Sequence, residues 1–163
     1  MKYEKVKLFW KTYLDVRHIE CIPYDDTVEY YTFLRDCRSK GYKQVVITSE
    51  IMIEIIRQEC LKNGHIVSKI EFVEDDLDLS EEIDWILSKM VKNSGYLTEL
   101  IDKLKFLAEK SSIDIKRIYI KSQYTESGTA DYFIQTNGII GVNKESIEKI
   151  SQEMSTLVEG CLS

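Results

Sequence analysis

A chain of 163 residues with 44% hydrophobic and 31% charged side chains is sized for one domain with a substantial core. One proline and seven glycines leave no room for long flexible linkers, so residues 1–163 are expected to form a single domain. The net charge of −6 opposes nonspecific attraction to phosphate backbones, which disfavours general nucleic-acid binding.

The N-terminal stretch MKYEKVKLFWKTYLDVRH places charges every few positions and lacks the apolar run of a secretory signal. No window approaches the apolar length of a membrane span, so a cytoplasmic location and no membrane partner are expected. Cys21, Cys37, Cys60 and Cys161 are scattered, with no C-x-x-C and only His18 and His65 to join them. Reduced, buried thiols fit that pattern better than a zinc site.

The spacing predicts a short strand over residues 17–22, ended by Pro23. A helix follows in DDTVEYYTFLRDCRSKG, with Asp26 as cap, Glu29 completing a capping box, and Gly41 in the left-handed exit turn. Val28, Tyr31, Leu34 and Cys37 make its apolar stripe. KQVVITS reads as a buried strand, and Ser49 is placed to cap the next helix, EIMIEIIRQECLKNG, which is apolar on so many sides that it must pack between the sheet and another element. HIVSKIEFV is a third strand, its alternation carried by Ile66, Ser68, Ile70 and Phe72. Short connections and right-handed crossovers predict a parallel β-α-β-α-β half.

Ser80 is expected to cap LSEEIDWILSKMVKN, whose buried face is Ile83, Ile86, Leu87 and Met90. Residues 96–110 form the most regular helix, with Leu97, Leu100, Ile101, Leu104, Leu107 and Ala108 on one face and a Glu99–Lys103 pair on its surface. These two central helices form a helical hairpin or a kinked rod. The last third carries strands DIKRIYIKS, ADYFIQT and IIGV, with QYTESGT as a loop, then a helix capped by Asn143 and faced by Ile147, Ile150, Met154, Leu157 and Val158.

Asn137-Gly138 and Gly141 stand in G-x-x-G spacing ahead of that helix, which raises a phosphate cradle as one option. Asn-Gly between two β-rich runs argues for a two-residue hairpin instead, pairing Phe133 with Val142 and Gln135 with Ile140 and leaving Gly141 opposite Ile134. The expected class is therefore α/β (or α+β): an N-terminal β-α-β-α-β half, two central helices, and a C-terminal β-hairpin segment with a terminal helix in one mixed sheet.

Ligands of parallel sheets sit beyond the strands' carboxyl ends, and each such end here carries acids: Asp25 and Asp26, then Glu50, then Glu74, Asp75 and Asp76 with Asp78. Asp25, Asp26, Glu50, Asp75 and Asp76 are the candidate ligands for Mg²⁺, a hard cation that takes carboxylate oxygens. The same acids also serve as caps that meet helix dipoles. GYKQVVITSE and YDDTV resemble the haloacid-dehalogenase-like phosphatases, whose strand ends carry paired Asp and a Ser/Thr. Setting Thr27 on that pattern puts Pro23 where the nucleophilic Asp belongs, which removes the chemistry.

Of ten tyrosines, Tyr30, Tyr31, Tyr119 and Tyr132 fall in ordered elements and suit buried or half-buried positions, while Tyr13, Tyr24, Tyr42, Tyr96 and Tyr124 are free to serve an interface. The leading expectation is a noncatalytic cytoplasmic interaction protein, an acidic regulator or inhibitor of a basic protein partner, with no catalytic residues and no cofactor. Its rivals are a Mg²⁺-dependent phosphoesterase or nuclease built on the five acids, and a homo-oligomeric protein assembled through the helical hairpin or the C-terminal sheet edge, without ligand chemistry.

Overall fold

A computed structural model describes residues 3–123 and 129–162. The expected loop around Tyr124 lies outside those residues. The chain opens with two long strands, β1 (Tyr3–Tyr13) and β2 (Val16–Tyr24), joined by a tight turn in which Leu14 and Asp15 both adopt positive φ, 50° and 65°. Then come α1 (Tyr30–Ser39), a two-residue strand β3 (Lys43–Gln44), α2 (Ser49–Leu61) and β4 (Ile66–Phe72). The central helices are α3 (Leu77–Met90) and α4 (Tyr96–Lys110). The C-terminal part comprises β5 (Ile115–Gln123), β6 (Thr129–Gln135), β7 (Ile139–Asn143), a 3₁₀ turn (Lys144–Ser146) and α5 (Ile147–Leu162).

All strands join one sheet in the order β2-β1-β7-β6-β5-β4, with β3 beside β1. The β-α-β-α-β order is present from β2 to β4, but every pairing is antiparallel, which corrects the parallel reading. The reason is β1. Its period-2 pattern, Val6, Leu8 and Trp10 against Lys5, Lys7 and Lys11, makes a strand that pairs with β2 on one side and β7 on the other, so the first and last thirds of the chain interlock. β2 runs through Pro23, which an edge strand tolerates because its ring side needs no ladder donor. KQVVITS forms ladder bonds only at Lys43–Gln44. The remainder stays extended, with Val45 and Ile47 wholly buried and Ile47 N donating to Thr136 O at 2.8 Å.

Helix ends differ from expectation by a residue or a turn. Glu29, not Asp26, caps α1 by accepting from Tyr31 N and Thr32 N, and the helix turns Phe33 and Cys37 inward while Tyr31 stays 72% exposed. Thr48, not Ser49, caps α2. Ser49 is buried and bridges the chain, donating to Asp114 Oδ1 at 2.9 Å and accepting from Ile115 N at 3.0 Å. Asp76, not Ser80, caps α3, a turn early. α3 and α4 form a hairpin, and Lys103 pairs with Glu82 of α3 at 3.2 Å in place of Glu99. Asn143 makes no side-chain cap.

The core lies between one face of the sheet and helices α2 to α5. It is lined by Val6, Leu8, Ile118, Ile120, Ile134 and Ile140 from the strands and by Ile55, Ile56, Leu100, Leu104, Ile150 and Met154 from the helices. In β4 the alternation breaks between Val67 and Lys69, so Val67 and Ile70 point inward with Ser68 exposed. The β6–β7 turn is a hairpin with a three-residue loop: Gly138 N donates to Gln135 O at 3.0 Å, and Gly138 takes φ 81°. Thr136 is held elsewhere, its N on Lys116 O and its O on Ile47 N, which shifts the register by one. Tyr132 pairs with Val142, Phe133 with Gly141 and Ile134 with Ile140.

Candidate interaction surfaces

The antiparallel order separates the acids singled out above. β2 and β4 are opposite edges of the sheet, five strand steps or roughly 24 Å apart. An odd number of antiparallel steps also turns their carboxyl ends to opposite ends of the sheet. Asp25 and Asp26 therefore cannot meet Asp75 and Asp76. Asp25 accepts from Thr27 N at 2.9 Å in a turn, Asp26 pairs with Lys5 at 2.8 Å, and Asp76 accepts from Leu79 N at 3.1 Å. Glu50 lies in the first turn of α2, where the dipole favours it. Asp75 lines a shallow acidic bowl of about 530 Å³ with Glu74, Asp76, Asp78, Ser111 and Ser112. The described residues contain no group of three or more His, Cys, Asp or Glu placed to share a metal ion, so the five acids do not fit a common Mg²⁺.

Two buried polar arrangements were not legible in the sequence. Glu59, on the inner side of α2, and His65, just past its exit, are both within 2% of full burial and approach to 2.5 Å, with Tyr132 Oη 3.3 Å from the same imidazole nitrogen. The signal for them was an acid inside a helix apolar on every side, which requires a partner. Lys7 is fully buried on the opposite sheet face, donates to Asn137 O, and sits 5.5 Å from the Phe9 ring and 5.8 Å from that of Tyr30. Burial pushes its amine down to about 8.

Nucleophilic chemistry finds little purchase. All four thiols titrate above their ordinary range, chiefly through burial, with Cys60 pushed up to about 11. Cys37 is buried, Cys21 and Cys60 are half-buried, and Cys161 is exposed, a departure from the expectation of four buried thiols. His18 is exposed, 3.7 Å from Glu159. A groove of about 840 Å³ between α2, α4 and the end of α5 carries both signs, with Glu50, Glu54 and Glu109 facing Arg57 and Lys105.

Two surfaces stand out. The first is the outer corner of α3 and α4. Residues 74–84 hold seven carboxylates and no basic side chain. The Glu82–Lys103 bridge joins the helices there, and one turn beyond each partner stand Trp85, 51% exposed, and Phe106, 54% exposed. Trp85 is braced by the edge of Tyr96 at 6.0 Å and by Lys89 above its ring at 5.5 Å.

The second is the sheet face turned away from the core. Phe9, on that face, packs against Phe33 of α1 at 5.9 Å, so α1 covers β1 and β2 there. From the start of β1, over β7, to β6 and β5 the same face carries an aromatic row: Tyr3 lies 5.0 Å from Phe133, and Phe133 5.8 Å from Tyr119. Gly141 makes the row possible, because a Cβ there would fall inside the Phe133 ring. The second glycine of the G-x-x-G stretch thus makes room for a ring. The guanidinium of Arg117 rests 4.7 Å from the Phe133 centroid and is fixed by donating to Tyr119 Oη at 2.7 Å and to Gln135 Oε1.

Comparison with family models, with curated proteins and with solved structures returns no match to the chain. The resemblance to haloacid-dehalogenase-like phosphatases is thus confined to two short segments, and the antiparallel sheet removes the parallel strand ends on which that chemistry depends. Among the described residues no helix is long and apolar enough to cross a membrane.

Proposed function

We propose that the chain is a noncatalytic interaction protein that presents the α3–α4 corner to a basic protein partner, acting in the cytoplasm as its regulator or inhibitor. One observation carries the reading: two half-exposed aromatic side chains, Trp85 and Phe106, flank a salt bridge at the edge of a segment with seven carboxylates in eleven residues. Large rings left half in water supply the apolar anchors from which binding energy is mainly drawn. The surrounding carboxylates supply the attraction that speeds encounter with a cationic surface and rejects acidic ones. Lys103 and Lys89 lie inside the patch, engaged with Glu82 and the Trp85 ring, and offset two of the seven negative charges, which leaves the corner acidic.

Calorimetric titration with a synthetic basic amphipathic helix tests the proposal. Binding is expected to weaken roughly tenfold or more when Trp85 is replaced by alanine. It is also expected to weaken as salt rises from about 50 mM to about 500 mM, because exposed charges are screened within a Debye length. Absence of binding, or binding that Trp85→Ala and the triple substitution Glu81→Gln, Glu82→Gln, Asp84→Asn leave unchanged, rejects it.

A further inference from the structure

A lysine is seldom wholly buried unless an acid lies beside it, because an ammonium taken out of water needs a counter-ion. Lys7 breaks that rule. It is fully buried, and the acceptor it reaches among the described residues is a neutral carbonyl, Asn137 O. Tyr30 and Cys37 face it from α1. The carboxylates of β2, of the turn after it and of α1 are all engaged elsewhere: Glu20 with the Tyr13 and Tyr42 hydroxyls, Asp25 with Thr27 N, Asp26 with Lys5, Glu29 with the first amides of α1, and Asp36 with Lys40.

The roof over Lys7 is α1, and that helix is thinly fastened. One of its ten residues is buried, Cys37, against seven of thirteen in α2 and five of fifteen in α4. No residue of α1 belongs to the aliphatic core, so the packing under α2 to α5 does not depend on it. Its hold on the sheet comes from the Phe33 ring, 5.9 Å from Phe9 and 4.9 Å from Tyr24. Each end is tied by one lysine of β1: Lys5 pairs with Asp26 ahead of the helix, and Lys11 donates to Lys40 O behind it. Exposed ties of that kind contribute little. Gly41 follows at φ 89°, a conformation that glycine adopts without strain and that suits a pivot.

We propose that α1 is a lid, which swings off the sheet while the α2 to α5 core stays folded and so uncovers Lys7 between the Phe9 and Tyr30 rings. Two opposed terms set its equilibrium. Closed, the rings of α1 and β1 leave water together; open, the amine recovers its hydration. The amine titrates at about 8 under the closed lid, so at neutral pH it is charged there and the cost of closing is present in full. Segments with few buried apolar contacts open at lower free energy than the core, and moving lids are drawn from them.

Hydrogen–deuterium exchange of the full chain at about pH 7.5 tests the lid. Amides of residues 33–39, corrected for their unprotected rates, are expected to exchange roughly a hundredfold faster than those of α2 and α4. Lys7→Met, which fills the same space without a charge, is expected to slow them roughly tenfold or more. A second readout needs no variant and keeps the test decisive even where Lys7→Met perturbs the fold. Alkylation of Cys37, told apart from the other three thiols by peptide mass mapping, is expected while the chain remains folded, at a rate that low urea leaves nearly unchanged, since opening exposes little surface. Exchange of α1 no faster than that of α4 overturns the proposal. So does a folded Lys7→Met chain whose α1 amides exchange as before, or a Cys37 that is alkylated only as the whole chain unfolds.

Discussion

The two faces of the sheet are built from different chemistry. The face under α2 to α5 is aliphatic, with Ile, Leu and Val interdigitating and its principal ionic exception, Glu59 with His65, paired within the core. The opposite face is aromatic and cationic. Lys7 is sealed between Phe9 and Tyr30, and the Tyr3–Phe133–Tyr119 row lies open beside it. An aliphatic face gains stability by excluding water and has little to offer a partner. A face of rings and guanidinium keeps polar edges that bind elsewhere, at some cost to the isolated chain. The aliphatic side thus carries the folded core, and the aromatic side is left partly open beyond α1.

That division breaks most severely at Glu59 and His65. His65→Ala leaves a buried carboxylate without its closest partner and is expected to lower unfolding free energy by about 3 kcal/mol, read by urea denaturation. On the other face, Gly141→Val drives a side chain into the Phe133 ring. An expected loss of about 2 kcal/mol, with a changed near-ultraviolet tyrosine signal, would show that the aromatic row depends on that glycine.

Lys7 sharpens the comparison through pH. Its folded value is lowered to about 8 from 10.5, so between those limits the unfolded chain binds more protons than the folded one, and stability rises with pH across that window. Below about pH 8 the buried amine is charged in both states and the burial penalty is present in full. The wild type is therefore expected to gain about 2 kcal/mol relative to Lys7→Met between pH 8 and 10.5, measured as the difference between their denaturation curves. A flat difference would place the amine in a more polar setting than the structure gives it. The smallest stability effect belongs to Trp85→Ala, under about 1 kcal/mol, because half of that ring already lies in water.

Much of this architecture was legible from periodicity. α4 begins and ends where its apolar stripe does, and the order of elements from β2 to α5 follows from strand and helix spacing. β1 was not, because its lysines at positions 5, 7 and 11 break up any apolar run, and the Leu14-Asp15 turn lacks the Gly or Asn that advertises a hairpin. Missing that strand led to a parallel sheet and to acids gathered at one edge. With β1 in place the sheet is antiparallel, its C-terminal strands are interior and offer no free edge, and Asp25 and Asp75 lie at its far corners. The corner around Trp85 was half visible: its carboxylates were plain, but only the packing of α3 on α4 brings Phe106 into the same patch. The aromatic row needs three non-adjacent segments and a glycine between them, which no local pattern reveals.

The central claim, that recognition of a basic partner resides on the acidic helical corner, is tested most directly by hydrogen–deuterium exchange of the full chain with and without a basic amphipathic peptide. Slowed exchange confined to residues 74–85 and 102–109 is the expected result. Protection of β5 and β6 with the corner unchanged, or no protection anywhere at saturating peptide, would contradict it.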